Sequence, residues 1–201
     1  MKGLKVYCAD VGSIKTGKFG WAGSENSYGS DIEQFAQRIT EELRQGLPVA
    51  VGFECPLFVP VKDEPARLLE ARKIDGSRPW SAGAGTASLA AGLVEVIWTL
   101  RAVKQGISGQ CQAYLDWAQF QAAGKGLFLW EAFVSGKAKG KDHIQDAAKA
   151  IRAFCLALPD PRNNNTIHED NVFSLAGAAL LWSGWSEDTG ILKTPCLVIK
   201  A

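Results

Sequence analysis

The run VAVGFE at residues 49–54 places a carboxylate at the end of a stretch that otherwise reads as a buried β-strand. An ionised carboxylate in apolar surroundings costs several kcal/mol unless it is paired or bound to a cation. Side chains alternate along a strand, so Glu54 shares a face with Ala50 and Gly52, small residues that leave open space beside a ligand. Pro56 and Pro60 then break regular structure.

The elements around this strand alternate. Leu4 to Asp10 reads as a strand, joined through the Gly-rich turn VGSIKTGK to a second one at Phe19 to Gly23, and the two suggest a hairpin. From Ser30 to Gln45, Ile32, Phe35, Ile39 and Leu43 recur at helical spacing, with Ser30 or Asp31 as cap and Gly46 beyond the end. Further helices are expected at 87–105, 111–123, 142–157 and 171–184, with strands at Leu127 to Ala132 and in the closing CLVIKA. The Gly-rich, Pro-containing stretch at 62–86 looks like an insertion or an active-site lid within one domain spanning 1–201. The expected fold is an α/β sandwich whose mixed sheet starts with an antiparallel hairpin and continues with parallel strands.

A chain of 201 residues, 47% hydrophobic, buries one sizeable core, and a formal net charge of +1 leaves any nucleic-acid contact to a local patch. The five cysteines are scattered without a CxxC pair, which argues against zinc and disulfides and suits a reducing cytosol. A basic, apolar leader and a membrane-spanning apolar run are both missing, so a soluble cytoplasmic protein is expected.

Four acidic residues lie where an apolar element begins or ends: Asp10, Glu54, Glu131 and Asp170. Ligands of α/β folds gather at the carboxyl ends of strands, so these four can converge on one site. Packed carboxylates stay ionised only with a cation among them, and all-oxygen ligation favours Mg²⁺ or Mn²⁺. Each residue also has a structural reading. Asp10 suits a turn, Asp170 an N-cap ahead of Val172 and Leu175, and Glu131 a wet strand end. Glu54 is the hardest to explain that way.

The segment ADVGSIKTGKFGWAG (residues 9–23) resembles the first hairpin of the RNase-H-like superfamily, especially its Holliday-junction resolvase branch. VAVGFECPLF (49–58) resembles the strand carrying that branch's second acidic residue, and EDNVFSLAGAALLW (169–182) resembles its last helix. LFLWEAFVSGKAKGK (127–141) is similar to a strand ending in Glu before a Lys/Gly loop in a family of uncharacterised, predicted RNase-H-like nucleases. The resemblance implies metal-ligand roles for Asp10, Glu54 and Asp170, with Glu131 as a further catalytic carboxylate. Many relatives carry another acidic residue where this chain has Phe173, so either Glu169 substitutes or the site is incomplete.

Lys137, Lys139 and Lys141 follow Glu131 in a Gly-punctuated loop, where they either neutralise phosphates or are simply solvated. Arg78 and Trp80 combine a phosphate fork with a stacking ring, suited to a nucleotide or single strand, although a loop packed around Trp80 is equally consistent. His168, beside Glu169 and Asp170, is either a general base or an exposed loop residue. The expected function is a Mg²⁺- or Mn²⁺-dependent nuclease or phosphodiesterase acting on nucleic acid. The alternatives are a nucleotide- or phosphometabolite-binding protein of the actin-like ATPase type, for which DVGS resembles the phosphate turn, and a non-catalytic RNase-H-like scaffold.

Overall fold

The computed structural model describes residues 1–201 apart from 74, 77 and 78, so Arg78 lies outside the described residues. Its main sheet is mixed. Strand β1 (Lys5–Asp10) pairs antiparallel with β2 (Gly20–Gly23), which pairs antiparallel with β3 (Tyr28–Gly29). On its other side β1 pairs parallel with β4 (Pro48–Phe53), and β4 pairs parallel with β7 (Gly126–Phe133). The far edge of β7 takes two short strands in parallel, β6 (Ala113–Tyr114) against its first half and β9 (Leu197–Lys200) against its second. An antiparallel start followed by parallel strands matches the expected sheet.

Helices cover both faces. The apolar stripe of α1 (Ile32–Arg44), capped by Asp31, buries Phe35 and Ile39 on one face, together with α2 (Gly83–Gly106) and α5 (Leu175–Trp182). The other face packs α3 (Trp117–Ala123) and α4 (His143–Leu156) around Phe128, Trp130 and Phe154. Asp142 caps α4 by accepting the Gln145 N–H at 2.8 Å. Where Glu54 shares its face with Gly52, the anticipated open space is filled. A Cβ on Gly52 would sit 2.4 Å from the Trp130 indole, so the glycine makes room for that ring and not for a ligand.

Three segments differ from the sequence expectation. The 111–123 stretch splits into β6 and α3, because Asp116 caps a helix that begins only at Trp117. The 171–184 stretch opens as a strand, β8 (Val172–Ser174), antiparallel to β5 (Phe58–Pro60), a strand that Pro56 and Pro60 had argued against. Helix α5 then starts at its own cap, Ser174, which accepts the Gly177 N–H at 3.0 Å. The third concerns α2, whose 24 residues with a window hydropathy of 1.3 make it long and apolar enough to cross a membrane, where no such run was anticipated. One third of that window is buried, against α1 and α5.

Candidate metal centre

Among the described residues, one acidic group can share a cation: Asp10, Glu54 and Asp146, with one ligand oxygen from each lying within 4.8 Å of the others. Asp10 closes β1 and Glu54 directly follows β4, its N–H donating to the Ala9 carbonyl at 2.8 Å. Asp146 comes from the first turn of α4, where the positive end of the helix dipole favours a carboxylate. Gly20 makes the approach of α4 possible. It stands opposite Asp10 in the sheet, and a Cβ there would come within 2.7 Å of the His143 and Ile144 backbone. With that clearance, His143 Nδ1 sits 2.5 Å from Asp10 Oδ2.

The group also has a cationic partner, Lys139. Its Nζ lies 3.1 Å from Glu54 Oε1 and 2.9 Å from Asp146 Oδ2. Asp146 Oδ1 accepts the Gly140 N–H as well. Among the described residues, buried Glu54 Oε2 has no hydrogen-bond partner. An orphaned carboxylate oxygen in an all-oxygen cluster is what a hard cation such as Mg²⁺ or Mn²⁺ would satisfy, so the residues present fit such an ion.

Electrostatics mark the same place. Burial, reinforced by the neighbouring Asp10, pushes the Glu54 carboxyl up to about 8, against the pull of Lys139. Burial likewise raises Asp10, opposed by its hydrogen bond to His143 and by Lys139. Glu95, on α2, is raised to about 7 by burial, partly offset by the Gly12 N–H that it accepts at 3.2 Å. Two carboxyls at the ends of adjacent strands and a third from the middle of α2, all displaced towards neutrality, are characteristic of a site awaiting a counter-charge.

The centre opens into a cleft of about 190 Å³. Lys139 and His143 line it beside Ser135, and so do Ala84, Gly85 and Ser88 from the start of α2, whose N-terminus has no side-chain cap.

The other sequence-predicted residues fall elsewhere. Glu131 lines the cleft but faces the opposite side of the sheet from Glu54, because the register sets it opposite Phe53. There the Arg72 guanidinium grips it through two bonds of 2.9 and 2.7 Å, and Leu57 N–H donates to it at 2.9 Å. Asp170 is exposed in a bend and takes no part in the acidic group, while Glu169 is paired with Lys62 at 3.0 Å. Phe173, whose identity raised the question of a missing carboxylate, belongs to β8 and is 43% exposed. Lys137 and Lys141 are exposed, and of the three loop lysines only Lys139 reaches the acidic group. Trp80 anchors its loop by donating its indole N–H to the Glu70 carbonyl at 3.0 Å, and His168 is exposed.

Asp146, His143, Arg72 and Glu95 were not anticipated as site residues. For Asp146 a signal was present: it lies on the α4 stripe that buries Ala150 and Phe154, a charge on an apolar face just as Glu54 is a charge in an apolar strand. No family model, no curated protein and no solved structure matches the chain, so the chemistry of the site itself carries its functional reading.

Proposed function

We propose that the chain is a Mg²⁺- or Mn²⁺-dependent phosphodiesterase, a nuclease of RNase-H-like type, acting in the cleft above Asp10, Glu54 and Asp146. The observation that carries this reading is the convergence of three carboxylates from three elements around a buried, unpartnered Glu54 oxygen. The order of antiparallel and parallel strands supports the RNase-H-like part, with β1 at the centre carrying the first acidic residue. Of this group Asp10 and Glu54 would hold the ion, with Asp146 beside them, and the ion would supply Lewis-acid polarisation of the phosphodiester and a more acidic water. Lys139 presents a positive charge to the cleft, and the uncapped start of α2 adds the positive end of a helix dipole, so an anionic backbone is favoured there. His143, held at Nδ1 by Asp10, keeps Nε2 to take up or release a proton at the departing oxygen.

The test is hydrolysis of single-stranded, duplex and branched DNA and RNA by the full chain with Mg²⁺ or Mn²⁺. Cleavage should disappear with chelator and fall by at least about a hundredfold in Asp10→Asn, with an unchanged circular dichroism spectrum. Full activity in Asp10→Asn, or none in wild type with either ion, overturns the proposal.

A second reading, a non-catalytic scaffold, is favoured by one observation: the Lys139 ammonium already pairs two of the three carboxylates. A scaffold shows no Mn²⁺-induced rise in melting temperature, whereas a site that binds only in the folded state must show one.

A further inference from the structure

Building on the metal-dependent reading, we infer that Lys139 is a built-in second cation of this centre, so that it takes one divalent ion, through Asp10 and Glu54, and not a pair. A lysine in a Gly-punctuated loop is ordinarily solvated, but this one is fixed from its main chain outward. Lys149, on α4, donates its Nζ to the carbonyls of Ala138 at 2.8 Å and of Lys139 itself at 2.9 Å. The next two amides are bound as well, Gly140 N–H to Asp146 and Lys141 N–H to Gln145 Oε1 at 3.1 Å. Gly140 packs so closely that a Cβ there would lie 2.5 Å from that of Gln145. The loop is thus docked on α4, and Lys139 delivers its ammonium between Glu54 and Asp146.

The remaining ligand capacity suits a single ion. Asp146 has both oxygens engaged, by Lys139 and Gly140, so its task is to hold the lysine and its loop. Asp10 Oδ2 is taken by His143 and Glu54 Oε1 by Lys139. Among the described residues Glu54 Oε2 has no partner and Asp10 is hydrogen-bonded through Oδ2, which leaves two oxygens from two residues, and Mg²⁺ is commonly held by one or two carboxylates with the rest of its shell from water and phosphate. Charge gives the same count. With all three carboxylates ionised, as metal binding requires, three negative charges against one ammonium leave two, which one divalent ion neutralises. A second divalent ion would have to evict Lys139 against its two ion pairs. Lys139 then supplies, next to the ion, the positive charge that a two-ion site would draw from its second metal.

Calorimetric titration of the metal-free full chain with MnCl₂, alongside melting curves, tests this without relying on activity. Wild type should bind one Mn²⁺. Lys139→Met should either take a second ion or bind the first at least about tenfold more tightly, since an attached competitor is gone. Lys139→Gln keeps a donor for Glu54 without the charge and should behave alike, so a misfolded Met variant leaves the test intact. Two ions in wild type, or two folded variants that titrate like wild type, overturn the inference and leave the phosphodiesterase reading standing. Absence of Mn²⁺ binding in wild type overturns both.

Discussion

Two clusters of buried charge stand at the same end of the sheet, on opposite faces, and they are built on opposite principles. In the Arg72 cluster every oxygen and N–H is answered. The guanidinium meets Glu131 through two bonds, Asp75 through Nε at 3.1 Å and the Phe58 carbonyl at 3.3 Å, and it lies over the Phe58 ring at 5.1 Å. Arg72, Asp75 and Glu131 are at most 3% exposed. In the Asp10 cluster three carboxylates share one lysine and one histidine, and a buried oxygen is left over. The saturated network ties Arg72 and Asp75 to the end of β7, whereas the undersaturated one leaves a carboxylate oxygen that a cation could satisfy. Glu131 therefore belongs to the frame of the cleft, and Glu54 to its chemistry.

The sharpest way to break that contrast is Arg72→Met. Removing one partner of a buried ionic network strands the other, so stability to urea should drop by about 3–5 kcal/mol, while the folded fraction keeps its Mn²⁺ affinity. A loss below about 1 kcal/mol would mean the cluster is no clasp. Next in size is Glu54→Gln. It neutralises a carboxyl that burial already pushes up to about 8, so the metal-free melting temperature should hold or rise. Mn²⁺ affinity, in contrast, should fall by about a hundredfold, because the unpartnered oxygen is the one left for the ion. If Glu54→Gln destabilises the metal-free chain and leaves metal binding intact, the two clusters have been assigned the wrong way round.

How much of this was legible in the sequence depends on how local each feature is. Strands β1 and β4 and helices α1 and α4 lie within two residues of expectation, because their apolar periodicity and their caps, Asp31 and Asp142, are local signals. β5 and β8 were missed because each exists only by pairing with the other, more than a hundred residues away, and Pro60 reads locally as a breaker. Asp170 was placed in the site by convergence and resemblance, with an N-cap as its structural reading, and neither holds: it is exposed in a bend, and the helix begins after β8 with Ser174 as the actual cap. Asp10 and Glu54 were found because a charge within an apolar strand is visible in one dimension. Glu131 has the same local signature, but the inter-strand register decides which face it joins, and single-sequence patterns do not contain register.

The contrast sharpens again with pH. Burial holds Glu54 up at about 8 and Glu95 at about 7, both above the ordinary 4.5 of a glutamate. From that ordinary value to about pH 8 the folded chain carries more protons than the unfolded one, so their contribution is complete at acid pH and is lost as pH rises through 7 and 8. The metal-free protein should therefore become less stable, by several kcal/mol, between about pH 5 and pH 8.5. Glu95→Gln should flatten the lower part of that slope. Added Mn²⁺ needs the deprotonated carboxylates, so the melting-temperature rise it causes should grow across the same interval. A flat metal-free profile would show that Lys139 and His143 already neutralise the centre.

The smallest expected effects belong to the two acidic residues that the fold leaves outside the centre. Glu169 pairs with Lys62 at 3.0 Å near the surface, its side chain 12% exposed against 21% for the lysine. Glu169→Gln should cost at most about 1 kcal/mol, the usual worth of a partly solvated pair, and the loss should shrink in high salt. Asp170→Asn, at an exposed bend, should be silent within about 0.5 kcal/mol. Neither substitution should change Mn²⁺ binding. A tenfold loss of Mn²⁺ affinity in either variant would bring the segment before β8 into the centre, against the exposed bend and the Lys62 pair in which the fold places these two carboxylates.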